Sequence, residues 1–257
     1  MDPARPLEGR RVLLTRERAE NRSLAKALKA RGAEVFVLPA VETVSRDPEN
    51  GPEVIRSWNR LRWVAFASKN GVRFFRGWLD AVRLPLPPHI RVAAVGSGTA
   101  EACAAAGFPV DEVPETFTGA DLAARLAARH EPAPVLLPRG AGGREELAAG
   151  LAAAGWEVLP LCLYETRRAA LDPEALAELE AGVDAAVFAA PSAVKSLLEQ
   201  APVRARRALA AAKCVPIGPT TAEALRGAGL EPAAVPGRHT PEGILAALES
   251  LFAGSDS

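Results

Sequence analysis

The sequence predicts an α/β protein made of an internally duplicated half, its parallel sheets covered by helices on both faces. Three observations predict it. Short β-branched or apolar runs alternate with alanine- and leucine-rich stretches whose apolar residues recur at helical spacing. The blocks of the first half return in the second, in the same order and at a nearly constant offset. Gly32, Gly107, Gly155 and Gly229 fall just past predicted helix ends, where a left-handed residue closes a helix without steric cost.

The elements can be justified in chain order. A first strand is predicted over 12–15, and Arg11-Val12-Leu13-Leu14-Thr15-Arg16 resembles Pro134-Val135-Leu136-Leu137-Pro138-Arg139. A helical stretch follows each, marked in the first copy by Leu24, Ala27 and Leu28. Arg31-Gly32-Ala33-Glu34-Val35 and Ala154-Gly155-Trp156-Glu157-Val158 then turn into a second strand, 35–38 in the first copy. A third strand, 63–67, opens onto Ser68-Lys69-Asn70-Gly71, and its counterpart opens onto Pro191-Ser192-Ala193. A fourth, 92–95, opens onto Gly96-Ser97-Gly98-Thr99, matched by Gly218-Pro219-Thr220-Thr221. Each half closes with Val-Pro, a threonine (Thr118, Thr240) and a last helix, marked in the first half by Leu122 and Leu126. The offset is 122 for the later blocks, as from Gly96 to Gly218, and 123 for the first, as from Val12 to Val135. Taken alone, the repeat divides the chain near Glu131.

Composition narrows the function. A chain of 257 residues that is 49% apolar has ample material for one large domain or two small ones. Zero formal net charge without a basic stripe argues against nucleic-acid binding. No apolar run is long enough to span a bilayer, and residues 1–11 lack the apolar core of a secretion leader, so a cytoplasmic protein is expected. Cys103, Cys162 and Cys214 are odd in number and dispersed; they read as buried small hydrophobes, without disulfides or zinc. His89, His130 and His239 suggest no triad or metal site.

Parallel sheets bind ligands at the carboxyl ends of their strands. That rule singles out residues 15–18, 68–71, 96–99, 139–144, 191–193 and 218–221. The glycines of the 96–99 and 218–221 loops permit close backbone approach, and free N–H groups at a helix start favour anions. Plain helix capping by Ser97, Thr99, Thr220 and Thr221 is the alternative, as it is for Ser68 and Ser192. Arg16 and Arg139 end the first strand of each half, where a planar guanidinium suits a carboxylate; a surface ion pair is the other reading. Glu101 occupies the third glycine position of a dinucleotide fingerprint, so no nucleotide cofactor is expected. Tyr164 is the only tyrosine and breaks the repeat, its counterpart being Val41. It reads as a hydrogen-bond donor or general acid, or as strand packing.

Together these blocks carry a resemblance. The series Val-Leu-Leu-Thr-Arg, Phe-Ala-Ser-Lys-Asn-Gly-Val, Ala-Val-Gly-Ser-Gly-Thr-Ala, Arg-Gly-Ala-Gly-Gly-Arg, Leu-Tyr-Glu-Thr, Phe-Ala-Ala-Pro-Ser-Ala-Val and Ile-Gly-Pro-Thr-Thr-Ala resembles the uroporphyrinogen-III synthases, over residues from about 10 to about 251. The resemblance implies two flavodoxin-like lobes joined by a two-stranded linker. Residues 1–38 with 167–257 would form a discontinuous first lobe and 45–158 an inserted second one, with 39–44 and 159–166 as linker strands. It implies a monomer without cofactor or metal, acting on a linear tetrapyrrole polycarboxylate and in transient contact with the preceding pathway enzyme.

The implied reaction cyclises hydroxymethylbilane, with loss of water and inversion of ring D through a spiro intermediate. The activated bilane closes unaided, but to the uninverted isomer, so positioning does most of the work. Tyr164 matches the tyrosine that helps the hydroxyl leave. The residues expected to hold the carboxylate arms are Arg16, Ser68, Lys69, Asn70, Ser97, Gly98, Thr99, Arg139, Gly140, Arg144, Ser192, Ala193, Thr220 and Thr221. Charge-assisted hydrogen bonds contribute roughly 1.5–3 kcal/mol each, so several would fix the bilane's fold. A non-catalytic two-lobed cytosolic protein that binds or senses an anionic ligand is the competing reading, because fold does not fix function.

Overall fold

A computed structural model describes residues 6–143 and 145–253. The elements run in chain order as β1 (Arg11–Leu14), α1 (Arg18–Lys29), β2 (Glu34–Val37), β3 (Val41–Ser45), α2 (Gly51–Arg56), β4 (Trp63–Phe66), α3 (Lys69–Val82), β5 (Arg91–Ala94), α4 (Ser97–Ala105) and α5 (Gly119–Arg129). They continue as β6 (Val135–Gly140), α6 (Glu146–Ala153), β7 (Val158–Arg168), α7 (Pro173–Glu180), β8 (Ala185–Phe188), α8 (Pro191–Gln200), α9 (Val203–Ala211), β9 (Lys213–Pro216), α10 (Pro219–Gly227) and α11 (Pro241–Ala253).

The chain forms two compact units. One comprises the residues up to Glu42 together with those from Arg167; the other is Thr43–Thr166. Both points where the chain leaves one unit for the other lie inside strands, β3 and β7.

In the discontinuous unit the sheet order is β2-β1-β8-β9, and every neighbouring pair is parallel. Alternate residues of its strands enter opposite cores, as a pleated strand covered on both faces requires. Leu13, Ala186, Phe188 and Cys214 pack against α7–α10. Val12, Leu14, Ala185, Val187 and Val215 pack with Leu24, Leu28, Ile244 and Leu248 of α1 and α11.

The Thr43–Thr166 unit has the order β3-β7-β6-β4-β5, with β7, β6, β4 and β5 parallel in turn. Val64, Phe66, Val92, Leu136 and Leu161 face Phe75, Leu79 and Cys103 on one side. Trp63, Ala65, Ala93, Val135 and Leu137 face Leu122, Leu126, Leu147 and Leu151 on the other.

Gly32, Gly107, Gly155 and Gly229 have φ of +82°, +78°, +83° and +77°, the left-handed conformation that ends a helix. Isolated parallel bridges, Ala93↔Glu112 in one unit and Cys214↔Pro232 in the other, return the chain toward the carboxyl end of β5 and of β9. Helix α9 has no counterpart in the first half, where residues 83–90 run as an irregular connection. Cys103 and Cys214 are buried as expected, but Cys162 is only half-buried, because it lies on β7 beside Arg139 at the open end of the sheet. Burial pushes the Cys103 thiol up to about 12 and Cys214 up to about 11, so neither is a thiolate at neutral pH.

Candidate functional site

The expected site residues fall on both units, and each set is described within its own unit. In the Thr43–Thr166 unit they gather at the carboxyl ends of β7, β6, β4 and β5. Tyr164 stands on β7 opposite Gly140 of β6, at the point where the β6–β7 register shifts. The glycine decides how the tyrosine lies. A Cβ at Gly140 would come within 2.5 Å of Tyr164 Cε2, so only a residue without a side chain lets the ring rest on the β6 backbone. Phe74 of α3 stacks on the ring, with centroids 4.8 Å apart and planes 17° from parallel. Its hydroxyl is 3.0 Å from Ser68 Oγ.

Ser68 is the N-cap of α3, and its Oγ accepts the Gly71 N–H at 3.0 Å. That contact occupies one lone pair and leaves the serine proton free for the tyrosine oxygen. Lys69 is exposed, and its Cε would lie 2.8 Å from a Cβ on Gly98. Asn70 is half-buried in the first turn of α3. In α4, Ser97 is exposed, Gly98 half-buried and Thr99 buried. Arg139 makes two hydrogen bonds to Glu145, at 2.7 and 2.9 Å, and a third to the Gly143 carbonyl. The Glu145 hydrogen bond outweighs the effect of burial and raises the Arg139 pKa above the ordinary guanidinium value. Arg144 lies outside the described residues.

In the discontinuous unit, Arg16, Ser192 and Thr220 follow the adjacent parallel strands β1, β8 and β9, and all three are exposed. Arg16 pairs with Glu20 at 2.9 Å, and its carbonyl accepts from Asn21 Nδ2 at 2.7 Å. Ala193 is buried, its amide donating to the Ala190 carbonyl at 3.1 Å; Thr221 is buried in α10. Thr15 binds the Val187 carbonyl through its hydroxyl at 2.8 Å, which ties the end of β1 to β8.

The capping alternative holds at Ser68 and fails elsewhere. The N-caps of α4, α8 and α10 are Gly96, Ala190 and Gly218, none of which carries a side-chain acceptor. Ser97, Thr99, Ser192, Thr220 and Thr221 sit one to three residues inside their helices, too late to cap. The glycines also differ from their sequence reading. Gly96, Gly98, Gly140 and Gly218 lie beneath side chains of the same chain, those of Phe117, Lys69, Tyr164 and His239. Phe74, Phe117 and His239 carried no signal in the sequence. Their partners are set by sheet topology, and nothing local marks them. Among the described residues no group of three or more His, Cys, Asp or Glu side chains could hold a metal, and no helix is long and apolar enough to cross a membrane.

This arrangement has relatives. The family described as uroporphyrinogen-III synthase HemD matches residues 22–246. A porphyrin biosynthesis protein HemD of Ruminiclostridium josui is 33% identical over 130 residues, which are 49% of this chain and 25% of that protein. A uroporphyrinogen-III synthase of Synechococcus elongatus is 30% identical over 177 residues, 63% of this chain and 62% of its own length. The chain thus spans less than two thirds of either curated relative. A crystal structure of a mutant uroporphyrinogen III synthase from the extremely thermophilic bacterium Thermus thermophilus superposes with a TM-score of 0.59 at 25% identity, covering 95% of this chain and 99% of that one. The family match runs across both units and includes the Ser68–Tyr164 pair, so the chain belongs to the uroporphyrinogen-III synthase family.

Proposed function

We propose that the chain cyclises hydroxymethylbilane to uroporphyrinogen III, inverting ring D. The observation that carries the proposal is the Tyr164 hydroxyl, 3.0 Å from Ser68 Oγ at the carboxyl edge of a parallel sheet in a chain of this family. Ser68, its oxygen already accepting from Gly71, donates to Tyr164, and Tyr164 donates to the hydroxyl of the bilane. That group leaves as water with the donated proton. The substituted carbon of ring D attacks the methylene so exposed, and the spiro intermediate reopens with the ring turned over. The macrocycle then closes with loss of a proton, which restores Tyr164. Apart from this proton, the chain's contribution is to hold the bilane so that attack at the substituted carbon outruns the spontaneous closure.

The carboxylate arms are held by Lys69, by the helix starts of α4, α8 and α10 that lack side-chain caps, and by Arg16 and Arg139 once these exchange their glutamate partners. Arg144, Asn70 and the loop hydroxyls complete the set. The scaffold is a duplication. The strand order β2-β1-β8-β9 in one unit and β7-β6-β4-β5 in the other supports it, because β1, β2, β8 and β9 correspond in sequence to β6, β7, β4 and β5. Strands β3 and β7, across which the chain changes unit, serve as the linker. The protein works as a cytoplasmic monomer in transient contact with the enzyme that supplies the bilane, a substrate prone to spontaneous closure.

The test is direct. Hydroxymethylbilane is supplied, the product is oxidised and the porphyrin isomers are resolved. Isomer III forming faster than the spontaneous reaction is the expected result. Isomer I alone, at the spontaneous rate, overturns the proposal.

A further inference from the structure

Four side chains at the carboxyl edges rest on glycines in the same way: Tyr164 on Gly140, Lys69 on Gly98, Phe117 on Gly96 and His239 on Gly218. A Cβ on Gly96 would meet Phe117 Cγ at 3.0 Å and Cβ at 3.1 Å. A side chain laid on bare backbone has few rotamers left, and it presents its outer face to whatever occupies the edge. The Ala93↔Glu112 bridge returns the chain alongside β5 and so delivers Phe117 to that edge. Phe117 is 61% exposed and is, among the described residues, the sole aromatic of the exposed large apolar ones.

Phe117 also precedes the Thr118 N-cap of α5, the position from which an apolar residue commonly packs on the fourth residue of the helix, here Leu122. Such packing would bury the ring. Leu122 is fully buried while Phe117 keeps most of its surface in solvent, so packing on α5 does not account for an aromatic at this place. Two residues along from Gly96, Lys69 lies over Gly98 and adds a cation. A flat apolar face beside an ammonium complements a flat ring with acidic arms.

We infer that Phe117 is a further substrate-positioning residue: its free face takes one pyrrole of the bilane by offset stacking, and Lys69 pairs with a carboxylate arm of that ring. This rests on the synthase activity proposed above. Stacked aromatic pairs contribute enough to shift an equilibrium by roughly two- to tenfold. The test compares Phe117→Leu, which keeps apolar packing and loses the ring, with Phe117→Tyr, which keeps the ring. KM, kcat, the isomer ratio and the thermal midpoint are measured for each full-length variant. Expected is a KM raised about three- to tenfold in the leucine variant, with kcat and the midpoint unchanged and the tyrosine variant within about twofold of wild type. An unchanged KM in the leucine variant overturns the inference, as does a rise in KM that follows a fall in the midpoint. A wild-type chain that forms no isomer III overturns both this inference and the synthase reading. Wild-type turnover with an unchanged leucine KM overturns this one alone.

Discussion

At the scale of single residues, the site is organised by what glycine omits. Tyr164 is clamped between the Gly140 backbone and the Phe74 ring, with its hydroxyl on Ser68. Two substitutions separate its chemical role from its packing. Tyr164→Phe removes the hydroxyl and keeps the ring in its seat, so the rate of isomer III formation is expected to fall about a hundredfold or more, in line with general-acid contributions. The thermal midpoint should move little, because one hydrogen bond at a half-buried site contributes only about 1 kcal/mol. Wild-type turnover by this variant would remove Tyr164 from the mechanism. Gly140→Ala keeps the hydroxyl and drives a methyl group to 2.5 Å from the ring. The ring cannot retreat without disturbing Phe74, so stability should fall by about 1–3 kcal/mol, the ordinary cost of overpacking, and isomer III formation should fall with it. Thermal unfolding and the isomer assay, run side by side, check both halves. An alanine variant with wild-type stability would mean that the ring is not clamped.

At the scale of elements, the Thr43–Thr166 unit carries a charged joint between the Ala93↔Glu112 bridge and α5. Glu112 is 4% exposed and bonded to Arg125 at 2.5 Å, Arg129 at 3.2 Å and His130 at 3.0 Å. Burial alone would raise its pKa. Hydrogen bonds from Arg125 and His130, with the charges of Arg125 and Arg129, reverse that and hold the carboxyl below its ordinary 4.5. A depressed carboxylate pKa contributes stability that is present above the unfolded value and lost as pH falls through the folded one. Glu112→Gln should therefore cost about 2 kcal/mol at pH 7. That is less than the roughly 3–5 kcal/mol of a fully buried pair, because Arg125 and Arg129 retain contact with water. The difference from wild type should shrink as pH drops below 4.5 and vanish below the folded pKa. Urea unfolding at pH 7 and pH 3 follows this loss, and a difference no smaller at pH 3 than at pH 7 would contradict the assignment.

This joint also marks the limit of what the sequence discloses. The strands are legible to within a residue or so, 12–15 against Arg11–Leu14 and 63–67 against Trp63–Phe66, because runs buried on both faces are apolar without a break. The helix-ending glycines are legible because a positive φ has a local signature. Glu112 with Arg125, Phe117 on Gly96 and Tyr164 on Gly140 are not, since each pairing is made by a neighbouring strand or bridge distant in sequence. Capping by Ser192 or Thr220 is equally plausible in the sequence, and only the helix starts at Pro191 and Pro219 exclude it.

At the scale of the whole molecule, the repeat and the compact units divide the chain differently. The repeat breaks near Glu131, whereas the units exchange chain at Glu42 and at Thr166. On the proposed duplication, each unit joins the opening strand–helix–strand of one copy to the closing elements of the other: β1, α1 and β2 with β8 to α11, and β6, α6 and β7 with β4 to α5. If the copies arose in tandem, this exchange makes one unit continuous in sequence and leaves the other in two pieces. The cores follow the units. The clusters built on Phe66, Phe75 and Leu136 and on Trp63, Leu122 and Leu147 draw only on residues 54–164, and the other two clusters draw on none of these. A fragment comprising residues 43–166 therefore keeps both faces of its sheet covered and some of every strand, with β3 and β7 each shortened by two residues at the cut. It should fold alone, with a single cooperative thermal transition and dispersed amide resonances; on the function proposed above it should make no isomer III, because Arg16 and the α8 and α10 helix starts assigned to the substrate's carboxylates are missing. Residues 1–42, expressed alone, retain β1 and β2 without β8 and β9, and should stay unfolded until residues 167–257 are supplied. A fragment 43–166 without a cooperative transition would mean that its core depends on the rest of the chain, and the division into two folding units would fail.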